Sequence, residues 1–234
     1  NPLKIGILSD YRNIIISFAL SAGVFYLVSF LEDIVYHVYI QNHYLIIHTI
    51  IEFASIIMYI ASFLVIFYVG ERDRRLRMKV LAGVLLFVGA IDFWHTFSYD
   101  GMPGLIVDSS KQSATLYWII GRLGFAGGIL ISSFIPIRIK IKNTKTWAIA
   151  GIPLFLSLFI LFYVSYFPDN FPLLFKEGYG LTKTKQFLEY IIIVMLVISF
   201  TMFLIEYRNT KAEVLPLFLS ALIISIFSEL SFIN

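Results

Sequence analysis

The chain alternates long uncharged apolar runs with short polar connections. Seven windows, roughly 13–31, 46–69, 79–98, 115–136, 147–167, 186–205 and 214–233, are predominantly apolar. Each is close to the ~20 residues that carry a helix across bilayer hydrocarbon. Several windows end in helix punctuation. Pro136 closes the fourth, and Pro153 and Pro216 fall in the first turns of the fifth and seventh, where a missing N–H leaves no bond unmade. No soluble linker domain and no internal repeat interrupts the series. The pattern predicts an all-α integral membrane protein, a bundle of seven transmembrane helices forming a single domain over residues 1–234.

Composition agrees. Of 234 residues, 59% are hydrophobic and only 14% charged, against about a quarter charged in soluble domains. There are no cysteines, which excludes disulfides, thiolate nucleophiles and Cys-ligated zinc or iron–sulfur clusters within the chain. The first run, Asn13 to Leu31, is too long for the core of a signal peptide and has no small-residue cleavage site behind it, so it is read as a retained span. A net charge of +3 carries no message alone. No basic stripe with interleaved aromatics supports nucleic-acid binding.

The placement of the charges says more than their sum. One set of alternate connections holds Lys4 and Arg12; Arg72, Arg74, Arg75, Arg77 and Lys79; Arg138, Lys140, Lys142 and Lys145; and Arg208 and Lys211. The other set holds only Lys111, Lys176, Lys183 and Lys185. The positive-inside rule then places the N-terminus in the cytoplasm of a cell whose plasma membrane the chain crosses. Seven crossings leave Asn234 outside, so the expectation is a fragment of an eight-helix domain with a cytoplasmic effector beyond residue 234. The RDRRLR stretch reads as an anchor on anionic lipid headgroups.

With that orientation the ionisable groups inside the windows all fall in one outer slice. His48 sits near the outer end of the second window with Glu52 one turn deeper. Asp92 and His95 end the third, Trp118 and Arg122 occupy the outer turns of the fourth, and Glu189 and Glu229 lie in the sixth and seventh. A charged side chain within a span costs about 2.5–3.5 kcal/mol on insertion scales unless it is paired or faces a cavity. One-sided clustering therefore argues for a shared polar pocket open to the exterior. Spacing supports it: His48, Glu52 and Ser55 share one helix face, as do Asp92 and His95, and Trp118 and Arg122. Gly124 and Gly128 form a G-x-x-x-G that permits close helix contact below Arg122.

Two readings of the pocket stand side by side. His48 and His95, with Glu52 and Asp92, have the donor types for zinc or another transition metal, and two histidines on facing helices suit a haem iron. The same groups also suit an intramembrane hydrogen-bond and ion-pair network that fixes packing and lines a ligand pocket. Arg122 is either a partner for Asp92, Glu52 or Glu229 or a holder of a ligand carboxylate. Glu229 has the character of a proton-sensing carboxylate. His37 and His43, beside Glu32 and Asp33 in the first outer connection, could extend a metal site. Trp94, Tyr99, Tyr117 and Trp118 fit an interfacial aromatic belt. No nucleophile elbow, phosphate loop or H-E-x-x-H is present, so the chain does not read as an enzyme.

The motifs H-x-x-x-E in "HTIIEFASI", D-x-x-H-x-x-x-Y-x-G-M in "DFWHTFSYDGM", W-x-x-x-R in "WIIGR" and the late "SEL" resemble the third type of bacterial and archaeal membrane-associated sensor domain. The resemblance runs from about residue 13 to the end. The chain departs from it in "DSSKQSATLYW", where the family tends to carry Asn and Gln at positions occupied here by other residues. The resemblance implies an N-terminal membrane input module of a signal-transduction protein, in two-component systems joined to a histidine kinase, or else to a diguanylate cyclase, and working as a homodimer. It supplies no ligand. The combined expectation is a sensory domain binding a small ligand or cofactor in an outer-leaflet pocket lined by His48, Glu52, Ser55, Asp92, His95, Tyr99, Trp118, Arg122 and Glu229, with membrane lipids and a second copy as partners. A haem- or metal-binding membrane redox protein is the alternative. A transporter is a weaker one, because it needs polar groups through the whole membrane and the inner halves of the windows are apolar.

Overall fold

The computed structural model describes residues 11–31, 44–104, 106–141 and 146–233, with side chains at all of these except 70–73, 146 and 147. Among them run seven helices: α1 (Arg12–Phe30), α2 (Tyr44–Asp73), α3 (Leu76–Ser98), α4 (Lys111–Phe134), α5 (Thr146–Tyr166), α6 (Lys183–Thr210) and α7 (Leu215–Ser231). Every predicted window is a helix. Six are long and apolar enough to cross a membrane. The seventh, α7, has 17 residues, about 26 Å at 1.5 Å per residue, a few Å short of a ~30 Å hydrocarbon core. Between α5 and α6 lies something that apolar periodicity does not reveal: a 3-10 turn (Pro168–Asn170) and a two-stranded antiparallel hairpin, β1 (Phe175–Lys176) with β2 (Gly180–Leu181).

Proline explains two boundaries, and a third proline falls elsewhere than expected. α4 stops at Phe134 because Ile135, the residue before Pro136, is pushed into extended geometry (φ −83°, ψ 115°). Pro216 sits in the first turn of α7 as predicted. Pro153 does not open α5; the helix begins at Thr146, so the proline lies two turns in. It can offer no N–H to the Ile149 carbonyl. Gly83 of α3 packs at this point, where a Cβ would lie 3.3 Å from Pro153 Cγ and 3.6 Å from that carbonyl.

Backbone contacts group these elements into two compact units. One is Tyr44–Leu188, holding α2 to α5, the hairpin and the first residues of α6; the other combines α1 with α6 from Glu189 onward and α7. In the first, α3 is the central helix and packs against α2, α4 and α5. A core of Phe63, Ala82 and Leu86, joined by Ile66, Phe67 and Ile149, ties α2, α3 and α5 together. The α3–α4 seam is tightest. A Cβ on Gly121 would lie 3.2 Å from Ile91, and one on Gly124 or Gly128 would overlap the side chain of Phe87 or Val84 outright. The predicted G-x-x-x-G is thus the close-contact face of α4, with Gly121 continuing it upward.

At the base of the seam one residue of the basic stretch turns inward, while Arg74 stays exposed. Arg77 is buried, and its Nε donates to the Ile135 carbonyl at 2.8 Å. That carbonyl is among the orphan acceptors past the end of α4, so Arg77 closes the helix rather than reaching for lipid. Backbone bonds from Leu76 to the Ile139 carbonyl (2.9 Å) and from Ile141 to the Arg74 carbonyl (3.0 Å) splice the two connections together.

In the terminal unit α1 meets α7 through Phe18 and Phe25 against Phe227, and α6 meets α7 through Phe203 against Phe218. Glu229 and Glu189 are both assigned to this unit, and both are buried.

Candidate functional site

The N-termini of α2 and α4 and the C-terminus of α3 come to one end of the four-helix unit, and the stretch DFWHTFSYDGM supplies most of what gathers there. Asp92 is the last seam residue: its Oδ1 lies 3.4 Å from where a Cβ on Gly121 would be. One turn on, His95 is buried, and its Nδ1 donates to the Ala114 carbonyl of α4 at 2.8 Å. A carbonyl only accepts, so in the neutral ring the proton is on Nδ1 and the Nε2 lone pair is free. Thr96 is fully buried and donates to the Asp92 carbonyl at 2.8 Å, which keeps its hydroxyl satisfied inside the bundle.

The chain then turns back over α2. Tyr99 leaves the helix with its ring 4.6 Å from His48 and 5.6 Å from Tyr44. Burial, and after it the hydrogen bond with the Tyr44 side chain, holds its phenol well above the ordinary value, so Tyr99 is a neutral hydroxyl and not a phenolate. Gly101 has φ +93°, with Leu45 Cδ2 3.3 Å from where a Cβ would stand; both facts demand glycine. The Met102 sulfur rests 3.9 Å from the Thr49 hydroxyl, whose proton goes to the Leu45 carbonyl of the same helix. The spacing Y-x-G-M is therefore the geometry of a loop folded onto the first turns of α2.

Three ligand-type groups meet under that loop. His48 Nδ1 and His95 Nε2 each lie 4.0 Å from Glu52 Oε1, too far for hydrogen bonds. Candidate ligand atoms of His48, Glu52 and His95 are all within 4.8 Å of one another. The imidazoles meet edge to face, with ring centroids 5.5 Å apart. Nε2 of both His48 and His95 is buried with no hydrogen-bond partner among the described residues. Tyr44 stacks on His48 at 5.3 Å and 11°. Trp118 packs against His95 at 5.5 Å and carries the Arg122 guanidinium over its ring at 4.0 Å, a cation–π contact. The Arg122 charge acts on Asp92, Glu52 and His95, and the Asp92 charge acts on Glu52.

Most of the sequence-selected residues thus fall in one place. His48, Glu52, Asp92, His95, Tyr99, Trp118 and Arg122 are neighbours within the four-helix unit. Ser55 lies half-buried further along α2 and makes no hydrogen bond to the cluster. Glu229 belongs to the terminal unit. His37 and His43 lie outside the described residues. Of the residues read as an aromatic belt, Trp118 is half-buried and bridges His95 and Arg122, and Tyr117 is 2% exposed with its hydroxyl donating to the Leu161 carbonyl of α5 at 3.2 Å. Sequence reasoning missed Tyr44 and the Ala114 carbonyl. It also missed Gln112, whose Oε1 accepts from the backbone N–H groups of Leu174 (2.9 Å) and Phe175 (2.8 Å) and so braces the hairpin on α4.

The family model of the MASE3 membrane-associated sensor domain matches residues 39–234. No curated protein and no solved structure matches the chain. The match takes in α2 to α7 and every residue of the cluster, and the chain belongs to this family of membrane sensor domains, which is not a catalytic one.

Proposed function

We propose that the chain is the sensory input domain of a signal-transduction protein in the plasma membrane. It crosses the bilayer seven times from a cytoplasmic N-terminus, takes up a small ligand in the polar cluster on the outer side, and biases a cytoplasmic output such as a histidine kinase or diguanylate cyclase, working as a homodimer. The observation that carries the reading is the meeting of His48, Glu52, Asp92, His95 and Arg122 at one end of the four-helix unit. Groups so costly to bury are kept where they bind something. A ligand bridging α2, α3 and α4 stabilises one helix arrangement over another, and that differential affinity is all a sensor needs. Short α7 is accommodated by local thinning of the bilayer.

Two experiments test this. With the chain joined through one further membrane crossing to a cytoplasmic cyclase or kinase reporter, His48→Ala and Asp92→Asn are expected to lock output at one level whatever the external medium contains; unchanged, responsive output would overturn the pocket's role. The absence of cysteines makes the orientation directly readable. A single cysteine at exposed Val107 should react with an impermeant maleimide on intact cells, and one at exposed Thr210 only after permeabilisation. The reverse pattern would invert the topology.

A further inference from the structure

We propose that the occupant of the cluster is a divalent first-row transition-metal ion, held by His48, Glu52 and His95. This rests on the sensor reading above and names its ligand. Four observations point the same way. The donors are two imidazoles and one carboxylate, a set that suits zinc and its neighbours and not calcium or magnesium, which take oxygen. His95 already has the outer support a metal-binding histidine needs: Nδ1–H is fixed on the Ala114 carbonyl at 2.8 Å, which aims the Nε2 lone pair at Glu52. That lone pair is 95% buried with its residue and has no partner among the described residues, a state costing about 1–3 kcal/mol unless something fills it. And the donor atoms are nearly in place. Ligands 2.0–2.1 Å from a tetrahedral ion stand about 3.3 Å apart, against the present 4.0 Å for each histidine–glutamate pair, a gap closed by small side-chain rotations.

The surrounding charges fit a dication. Glu52 and Asp92 against Arg122 leave the site one net negative charge, which an M²⁺ ion overcompensates by only one. Arg122 sits over Trp118, and its charge acts on both Asp92 and Glu52. Three protein ligands leave the fourth position open to water or an external donor, as in sites that exchange their occupant. A haem is a poorer fit. Histidines sharing a haem iron face each other across a flat macrocycle, whereas these rings meet edge to face with a carboxylate oxygen 4.0 Å from each. An ion shared by His48 and Glu52 of α2 and His95 of α3 ties the outer ends of two helices to each other, which favours one packing of them over others as the sensor reading requires.

The test uses the whole chain in nanodiscs, stripped with chelator and titrated with Co²⁺. The expected result is one equivalent bound, with the intense visible bands of four-coordinate cobalt, bleached by Zn²⁺ and indifferent to excess Ca²⁺ or Mg²⁺. His48→Ala, Glu52→Gln and His95→Gln are each expected to weaken binding by about 100-fold or more, on the scale set by losing even an outer support. Asp100→Asn, an exposed carboxylate at the same end, should leave it unchanged. Circular dichroism sets aside any variant that fails to fold, and the wild-type titration stands regardless. No cobalt bands in the wild type, or binding that all three folded variants retain, overturns the metal. If the metal fails while His48→Ala still silences the reporter fusion, the sensor reading survives it. If metal binds and the reporter ignores His48→Ala, the sensor reading falls and the metal site stands.

Discussion

The two ends of the α3–α4 contact are built on opposite principles. From Val84 to Ile91 the helices touch through Gly128, Gly124 and Gly121, so closely that a single added carbon would press on its neighbours or overlap them. One turn further, the same two helices present Asp92, His95, Trp118 and Arg122, with a buried imidazole nitrogen left without a partner among the described residues. The first end has one solution and no slack. The second retains unmade interactions and 4.0 Å gaps that could close. A sensor needs both: a rigid seam as fulcrum, and a site whose occupancy changes the geometry beyond it.

The largest effect should come from breaking the fulcrum. Gly124→Leu drives a branched side chain into the space of Phe87, whose ring already occupies the place a Cβ would take. Overpacking usually costs about 1–3 kcal/mol, and here a backbone–side-chain contact must separate, so the cost should exceed about 3 kcal/mol. Size-exclusion chromatography in detergent should show aggregate in place of a monodisperse peak. A folded Gly124→Leu would mean the seam is not the rigid end.

Next is the seam's base. Arg77→Ala removes the charged donor on the Ile135 carbonyl, a half-buried bond, a loss of about 1.5–3 kcal/mol. Arg77→Lys should recover little, because the bond is made by Nε of a planar guanidinium. An unchanged thermal midpoint in Arg77→Ala would show that this bond does not hold the end of α4.

That example marks where the sequence is legible and where it is not. Apolar run length located all seven helices, because hydrocarbon leaves a membrane chain few alternatives. Helical spacing brought His48, Glu52, Asp92, His95 and Arg122 to one end, because i, i+3 and i, i+4 fix a face. What a side chain meets across the bundle is not periodic. Arg77 looked like one more cytoplasmic cation and Tyr117 like one more interfacial ring, and Gln112 drew no reading; each is defined by a partner 44 to 63 residues away. The partners of Arg77 and Tyr117, like that of His95, are backbone carbonyls, and Gln112 serves backbone N–H groups, to which no residue type gives a clue. The hairpin was invisible for a related reason: two residues per strand carry no alternation to read.

A smaller effect belongs to the loop that roofs the site. Gly101→Ala must hold φ +93° and press against Leu45, which costs about 1 kcal/mol. Its sharper consequence is local. Tyr99 and Met102 lose their seats on His48 and Thr49, so hydrogen exchange at 99–104 should rise while α3 below Ile91 stays protected. Uniform loss of protection would show that the responsive end is not separable from the rigid one.

The smallest effect is expected at the centre of the cluster. In the ligand-free chain the amide N–H of His95→Gln can still donate to the Ala114 carbonyl, a bond worth about 0.5–1.5 kcal/mol, and the amide brings its own unpartnered polar atom in place of the imidazole nitrogen. Little is gained or lost, so the thermal midpoint without ligand should barely move. With the pocket's ligand supplied, wild type should gain stability by mass action, about 2.7 kcal/mol at a hundredfold excess over Kd, and His95→Gln should gain none. A residue kept for packing would show the reverse, a large loss when empty and no difference in response. A buried histidine whose removal is nearly neutral until something binds is one retained for what it binds.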